Sequence, residues 1–451
     1  MEGMDERCVG VGRGVLATER TVATIAPAGP ARGLFHHAGF RRFWLGQTIS
    51  LTGSQISLVA LPLLAVFALR AGPFQVGMLT AAGRAPWLLF ALAAGALADR
   101  APRRPLLIWA DLLRAAALAW IPVAAVVHIL TMGQLYAAAF LVGTLTVLSD
   151  IAAQSLLPTL VTPAQVIEGN GKLEMSRASA EFVGPGLGGV LVQAVTAPMA
   201  VIADVMSFVA SAVLLSRIRV DETRLRTRAG GRVVLAEIRD GMRFVFGHRL
   251  LRWNVLIAAI ANLFGTMLLA ILVVFLLTGL GLRPAVIGLV LGVGSLGAIA
   301  GSLAAAPLFR RIGFGSTLAL GLTATAAGAL LLATVAGPYP VRVAWASGAE
   351  MLLVFGAPVF DVAVISLRQL VTPDRLLGRT NATMRFVIFG TMPFGALAGG
   401  LLATRIGLTA TVLVAGVGLV VPLVLALCSP LSRLQTHQMS APEATSVGGS
   451  Q

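Results

Sequence analysis

Twelve apolar stretches, each long enough to cross a bilayer and parted by short polar breaks, constrain this chain more than any single motif. A hydrocarbon core of about 30 Å takes about 20 residues of helix at 1.5 Å per residue, and backbone in lipid must satisfy its own hydrogen bonds. The stretches fall near 46–69, 76–98, 106–127, 134–157, 173–195, 198–216, 253–279, 285–307, 315–336, 343–366, 381–404 and 408–428. They predict an all-α membrane protein with twelve transmembrane helices. Composition agrees: 57% of the 451 residues are hydrophobic and only 12% charged, which argues against a water-soluble enzyme.

The net charge of +15 would suggest nucleic acid in a soluble chain, but here the arginines are distributed as topology signals, so no nucleic-acid partner is expected. One set of connections carries Arg100, Arg103 and Arg104, Lys172, Arg310 and Arg311, and Arg368, Arg375 and Arg379, and the 217–252 connection adds ten arginines. The opposite set carries only Arg70, Arg283, Arg342 and Arg405. An even number of spans then places both termini in the cytoplasm. Arginine outnumbers the single lysine so heavily that a GC-rich bacterial genome, and hence an inner membrane, is expected. Cys8 and Cys428 offer neither a disulfide framework nor a metal-binding spacing.

The chain divides into a tail at 1–42, six spans within 43–216, a basic linker at 217–252, six spans within 253–428, and a tail at 429–451. The first tail lacks an apolar core of signal-peptide length and reads as retained. A constant shift of 211 residues pairs Pro73 with Pro284, Gly77 with Gly288, Asp150 with Asp361, and Asn170 with Asn381. It also pairs Gly184, Gly188 and Gly189 with Gly395, Gly399 and Gly400. Two six-helix bundles forming a parallel repeat are therefore expected, an organisation associated with alternating access around a site between the halves.

The segment Gly95-Ala96-Leu97-Ala98-Asp99-Arg100-Ala101-Pro102-Arg103-Arg104 resembles the signature between helices two and three of the major facilitator superfamily, with Pro102 where that family usually has glycine. The resemblance implies a cytoplasmic latch built from Gly95, Asp99, Arg100, Arg103 and Arg104, with Asp150 of span four completing the relay. Gly184-Pro185-Gly186-Leu187-Gly188-Gly189 is similar to the antiporter signature of drug/proton exporters. Gly184 and Gly188 share a helix face on which another helix can pack closely, and Gly288, Gly292, Gly297 and Gly301 of span eight offer an opposing groove. The segment 40–47, Ala60-Leu61-Pro62-Leu63, Asp111 with Arg114, and Asp204 with Ser207-Phe208 look like the branch containing macrolide, tetracycline and enterobactin exporters. The GxGxxG spacings at Gly184 and Gly292 lie inside apolar spans and read as helix packing, and Gly171-Lys172 lacks the rest of a Walker A loop, so no cofactor and no ATP hydrolysis are expected.

Ionisable groups in a bilayer cost about 2.5–3.5 kcal/mol each on insertion scales, so each calls for a partner or a task. Asp111 and Arg114, three residues apart, form an intrahelical pair. Glu174, Arg177 and Glu181 form a ladder in which Glu181 is either a paired packing residue or a proton carrier. Arg84, Asp204, Glu350 and Asp361 lack an obvious partner in their own helices and are candidates for substrate or proton chemistry; the resemblance favours Glu350 as cavity-lining and disfavours Asp204. The expected activity is export of amphipathic small molecules in exchange for protons, by a monomer. A dedicated exporter of one metabolite, such as a siderophore, is the close alternative, and a non-transporting membrane sensor signalling through 217–252 is the alternative from another class.

Overall fold

The computed structural model describes residues 34–100, 102–162, 165–219, 239 and 241–433, the side chains of 91–100, 167, 374–375 and 377–378 excepted. Spans one to six are Ala38–Leu69, Pro73–Arg100, Arg103–Val126, Met132–Leu160, Val166–Ala194 and Ala197–Ser216. Span seven is Arg249–Val274, continued by a wider turn at Phe275–Gly279. Spans eight and nine lie within Pro284–Ala333, broken at Gly313, whose φ of 79° is left-handed and suits a residue without Cβ. Span ten is Tyr339–Val371 and span twelve is Leu408–Cys428. Span eleven comes in two pieces, Asp374–Gly390 and Met392–Ile406, because Pro393 cannot donate to the carbonyl four residues back. The Thr391 hydroxyl at that break lies 3.1 Å from the Ala259 carbonyl of span seven.

Nine helical runs are individually apolar and long enough to cross a membrane among the described residues. Span five is not one of them, since Glu168, Lys172, Glu174, Arg177 and Glu181 crowd its first half. The connections after spans one, three, five, seven, nine and eleven are short, and they gather at what is here called the short-loop end. Residues 217–219 and 241–248 lie at the opposite, linker end, where 241–247 forms a further helix. That helix and the start of span seven at Arg249 both fall inside the stretch expected to be linker.

Each group of six spans packs as a bundle, and the two bundles repeat each other contact by contact. Without a hydrophobic force between helices in lipid, close packing falls to small residues. A Cβ built on Gly184 would stand 3.3 Å from the Thr52 carbonyl of span one, and one on Gly188 would stand 3.1 Å from that of Ile56. Under the 211-residue shift these become Gly395 against the Leu263 carbonyl and Gly399 against the Met267 carbonyl of span seven, and both contacts are present.

Spans nine and ten meet as tightly: a Cβ on Gly321 would lie 2.6 Å from the Phe360 nitrogen, whereas one on Gly348 meets nothing within 4 Å. Gly321→Val is therefore expected to lower stability by about 1–3 kcal/mol, with Gly348→Val close to neutral. Thermal unfolding midpoints of the two variants in detergent check this, and equal midpoints would contradict the packing described.

Candidate functional site

The halves meet along two seams. In one, span two crosses span eleven so closely that a Cβ on Gly77 would stand 2.7 Å from the Gly400 Cα. In the other, span five crosses span eight, and a Cβ on Gly189 would stand 3.0 Å from the Gly288 Cα. The 211-residue shift converts Gly77 into Gly288 and Gly189 into Gly400, so each seam is the repeat image of the other. All four glycines lie near the short-loop end. Both seams continue to mid-span, through an edge-on contact of Trp87 and Phe389 with ring centroids 5.2 Å apart, and through the Ser295 hydroxyl donating to the Glu181 carbonyl at 2.7 Å.

This corrects the pairing expected for the glycine motif. Gly184 and Gly188 pack on span one, not on span eight, and it is Gly189 that meets Gly288. Successive helical residues differ by about 100°, so Gly188 and Gly189 face different neighbours. Gly292 stays on the span-five side, 3.1 Å from the Phe182 carbonyl for an added Cβ, whereas Gly297 and Gly301 pack on the backbone of Met351 and Phe355 in span ten. Pro185 is buried and directs its carbonyl at Gly288.

Two ionisable groups stand in these seams. Arg84 follows Gly77 by seven residues in span two, is half-buried, and makes no hydrogen bond or ion pair among the described residues. Glu181 precedes Gly189 by eight residues in span five and is also half-buried. The ladder expected around it is shorter than thought: Arg177 pairs with Glu174 at 3.7 Å, both exposed, and no cation lies within 4 Å of Glu181 among the described residues.

The first half holds a buried polar network. Arg114 pairs with Asp111, as its spacing predicts, and reaches Ser149 at 3.0 Å and Thr146 at 3.5 Å in span four while stacking over Phe208 of span six at 4.3 Å. Asp204 is buried, accepts from Ser57 of span one at 2.5 Å, and lies 3.1 Å from the Ser207 hydroxyl in its own helix. The expectation that Asp204 lacks a partner in its own helix is thus corrected by Ser207. Gly53 leaves the room for this, since a Cβ there would lie 2.6 Å from Asp204. The sequence gives no direct sign of Ser57, although Gly53 and Ser57 four residues apart form a small-residue stripe.

Nearer the linker end, Asp150 is half-buried within electrostatic range of Arg177, Arg114 and Arg385, the last from span eleven in the other half. Arg385 falls inside the apolar stretch at 381–404, and an ionisable residue there is the signal that could have found it. Asp361, the repeat mate of Asp150, is exposed and senses Arg368 in its own helix. Arg103 donates to the Ser155 carbonyl of span four at 2.8 Å, and Arg104 caps the end of span six at the Leu215 carbonyl, 3.0 Å away, and at that of Ser216, so both tie span three to its own half. Gly95, Asp99 and Arg100 belong to the last turns of span two, and their side chains lie outside the described residues. Glu350 does not line an open cavity: it is buried, packs on Gly294 of span eight, and its Oε2 has no hydrogen-bond partner among the described residues.

Twelve helices in two repeated bundles, closed on each other by symmetric glycine seams, define a multi-pass membrane transporter of the major facilitator class. The family model described as transmembrane secretion effector matches residues 30–446, and the chain belongs to that family. It is similar to the multidrug efflux pump Tap of Mycolicibacterium fortuitum, at 26% identity over 370 residues, covering 80% of this chain and 88% of Tap. Among solved structures it resembles the nucleoside transporter NupG, with a TM-score of 0.72 at 9% identity over 86% of this chain and 98% of that one. It also resembles a bacterial homologue of the iron transporter ferroportin in an inward-facing state, with a TM-score of 0.68 at 18% identity over 88% and 99%. Family and fold are those of transporters, which take a small-molecule substrate across the membrane.

The Arg114 pair carries a mutational test. Arg114→Leu strands a buried carboxylate and is expected to cost about 3–5 kcal/mol, whereas the double change Asp111→Leu with Arg114→Leu recovers most of that loss. Thermal unfolding of the purified variants checks it; a double variant no more stable than the single one would contradict the pairing.

Proposed function

We propose that this chain exports amphipathic small molecules from the cytoplasm by proton antiport, working as a monomer in a bacterial inner membrane with both termini cytoplasmic. The observation that carries this reading is the pair of repeat-related seams, each built on a glycine-on-glycine crossing. Such crossings can part and reform, which is what alternating access about a central site requires. The halves converge at the short-loop end, an arrangement that supports a state open toward the linker side. The likeness to a multidrug efflux pump supports outward movement of drug-like molecules.

Glu350 supplies the proton site in this reading. It is buried, and one carboxyl oxygen lacks a hydrogen-bond partner among the described residues, so holding it charged costs more than holding it protonated. Release of the proton then favours a different packing of span ten on span eight, and the two bundle arrangements differ in proton affinity. Asp99 and Asp150 belong to the latch at the linker end, which the resemblance to the superfamily signature supports, and Arg385 of the other half lies within electrostatic range of Asp150.

The decisive measurement is substrate-induced proton release from everted vesicles or proteoliposomes under imposed pH gradients. Glu350→Gln is expected to abolish uphill export while downhill exchange persists, because the amide fixes the uncharged form. Glu181→Gln run beside it separates the two acids. Wild-type export indifferent to the proton gradient, or coupled export retained by Glu350→Gln, would overturn the assignment. In the same assay Asp99→Asn is expected to stop transport with normal membrane insertion, and full transport would remove the latch.

A further inference from the structure

We infer that the substrate carries both an acidic and a basic group, set apart on an apolar body, the acid held by Arg84 and the base by Glu181. This rests on the transport reading above and narrows it to a class of ligand.

On span two, Gly77 and Leu88 mark the side that meets span eleven, since an added Cβ on Gly390 would stand 2.9 Å from Leu88, and Gly83 marks the side that meets span four. At about 100° per residue Arg84 projects about 20° from Gly77, turned toward span four, and so into the corner between the two neighbours. Leu89, which is 57% exposed, projects well away from it and marks the lipid side. On span five, Gly184 and Gly188 mark the side that meets span one and Gly189 the side that meets span eight. Glu181 projects between these two directions, opposite the lipid-facing Val190. Both groups therefore turn away from lipid, each into the angle between a span of its own half and one of the other.

Their depth is matched by the repeat. Arg84 lies seven residues from Gly77, and its repeat mate Ser295 lies seven from Gly288, at a position that touches the Glu181 backbone. Glu181 lies eight from Gly189, as its own mate Met392 lies eight from Gly400. The operation that exchanges the seams puts them on opposite sides of a pseudo-twofold axis, so Arg84 and Glu181 occupy opposite walls at similar depth.

Neither makes an ion pair among the described residues, although Arg177, one turn before Glu181, acts on it electrostatically across more than 4 Å, and neither mate is charged. A guanidinium offers a planar fork of donors to a carboxylate, sulfonate or phosphate, and a carboxylate accepts from a protonated amine. Because the walls are separate, the two charges of the ligand must sit apart rather than on adjacent atoms. A ligand of this kind neutralises both walls at once, while a singly charged one leaves the other group bare.

Rhodamine B, with one carboxylate and one delocalised cation, and its ethyl ester, which keeps only the cation, test this on shared rings. Fluorescence anisotropy titrations of the purified full chain in detergent are expected to give the zwitterion a Kd about tenfold below that of the ester. Arg84→Gln should weaken rhodamine B about tenfold with the ester within about twofold, Arg84→Lys should restore most of the loss, and Glu181→Gln should weaken both dyes. Wild-type protein that binds the two dyes equally or binds neither, or Arg84→Gln that shifts both by the same factor, would overturn the inference. Dye uptake into proteoliposomes under a pH gradient separates the two readings. The binding pattern without uphill uptake defeats the export reading and leaves the ligand class standing, and uphill uptake of both dyes alike does the reverse.

Discussion

Close approach of backbone to backbone at glycines is the interaction on which the rest of this molecule depends. Lipid gives helices no apolar reason to associate, so contact area and packing density must come from residues small enough to let main chains touch. The chain uses this device within each bundle and between the two. Within a bundle Gly188 lies on Ile56 and Gly399 on Met267, and Gly143 meets the Gly83 carbonyl as Gly356 meets that of Gly321. Between bundles Gly77 lies on Gly400 and Gly189 on Gly288, with Trp87 on Phe389 and Ser295 on the Glu181 carbonyl deeper in the seams.

The two halves share a backbone plan but not a charge plan. Asp111, Arg114 and Asp204 knit spans one, three, four and six, and their mates at a shift of 211 are Leu322, Thr325 and Ala415. The first half is therefore braced by hydrogen bonds that leave little freedom to its interior, since losing one member strands the others away from water. The second half relies on small-residue packing and carries its buried acid, Glu350, without such a brace. An ancestral duplication would leave the glycines in register, because their geometry serves both halves, and free the ionisable positions to diverge.

Much of this was legible in the sequence because it depends on short-range periodicity. Apolar runs gave the crossings, the 211-residue shift gave the repeat, and the three-residue spacing of Asp111 and Arg114 gave their pair. What stayed hidden depends on which neighbour a residue faces. Gly188 and Gly189 are adjacent in sequence, yet they serve a bundle and a seam respectively. Ser57 lies 147 residues from Asp204, and no local pattern links them. Glu350 sits on a span that resemblance assigns to the cavity, but its rotation about the helix axis turns it onto Gly294.

Span eight is where proton and gate would meet. Gly292 and Gly294 differ by about 200° in projection, so the first faces span five in the seam while the second faces Glu350 in span ten. One rigid helix thus has the proposed proton site on one flank and an inter-bundle crossing on the other. A change in the charge of Glu350 alters how closely span ten can lie on Gly294, and any shift of span eight in response is delivered to Gly288 and Ser295. The second seam has no comparable acid: the mate of Glu350 under the repeat is Ala139, in span four. A single protonation event would then act on one seam directly and on the other only through the movement of a whole bundle, which is the coupling that a two-body transporter needs.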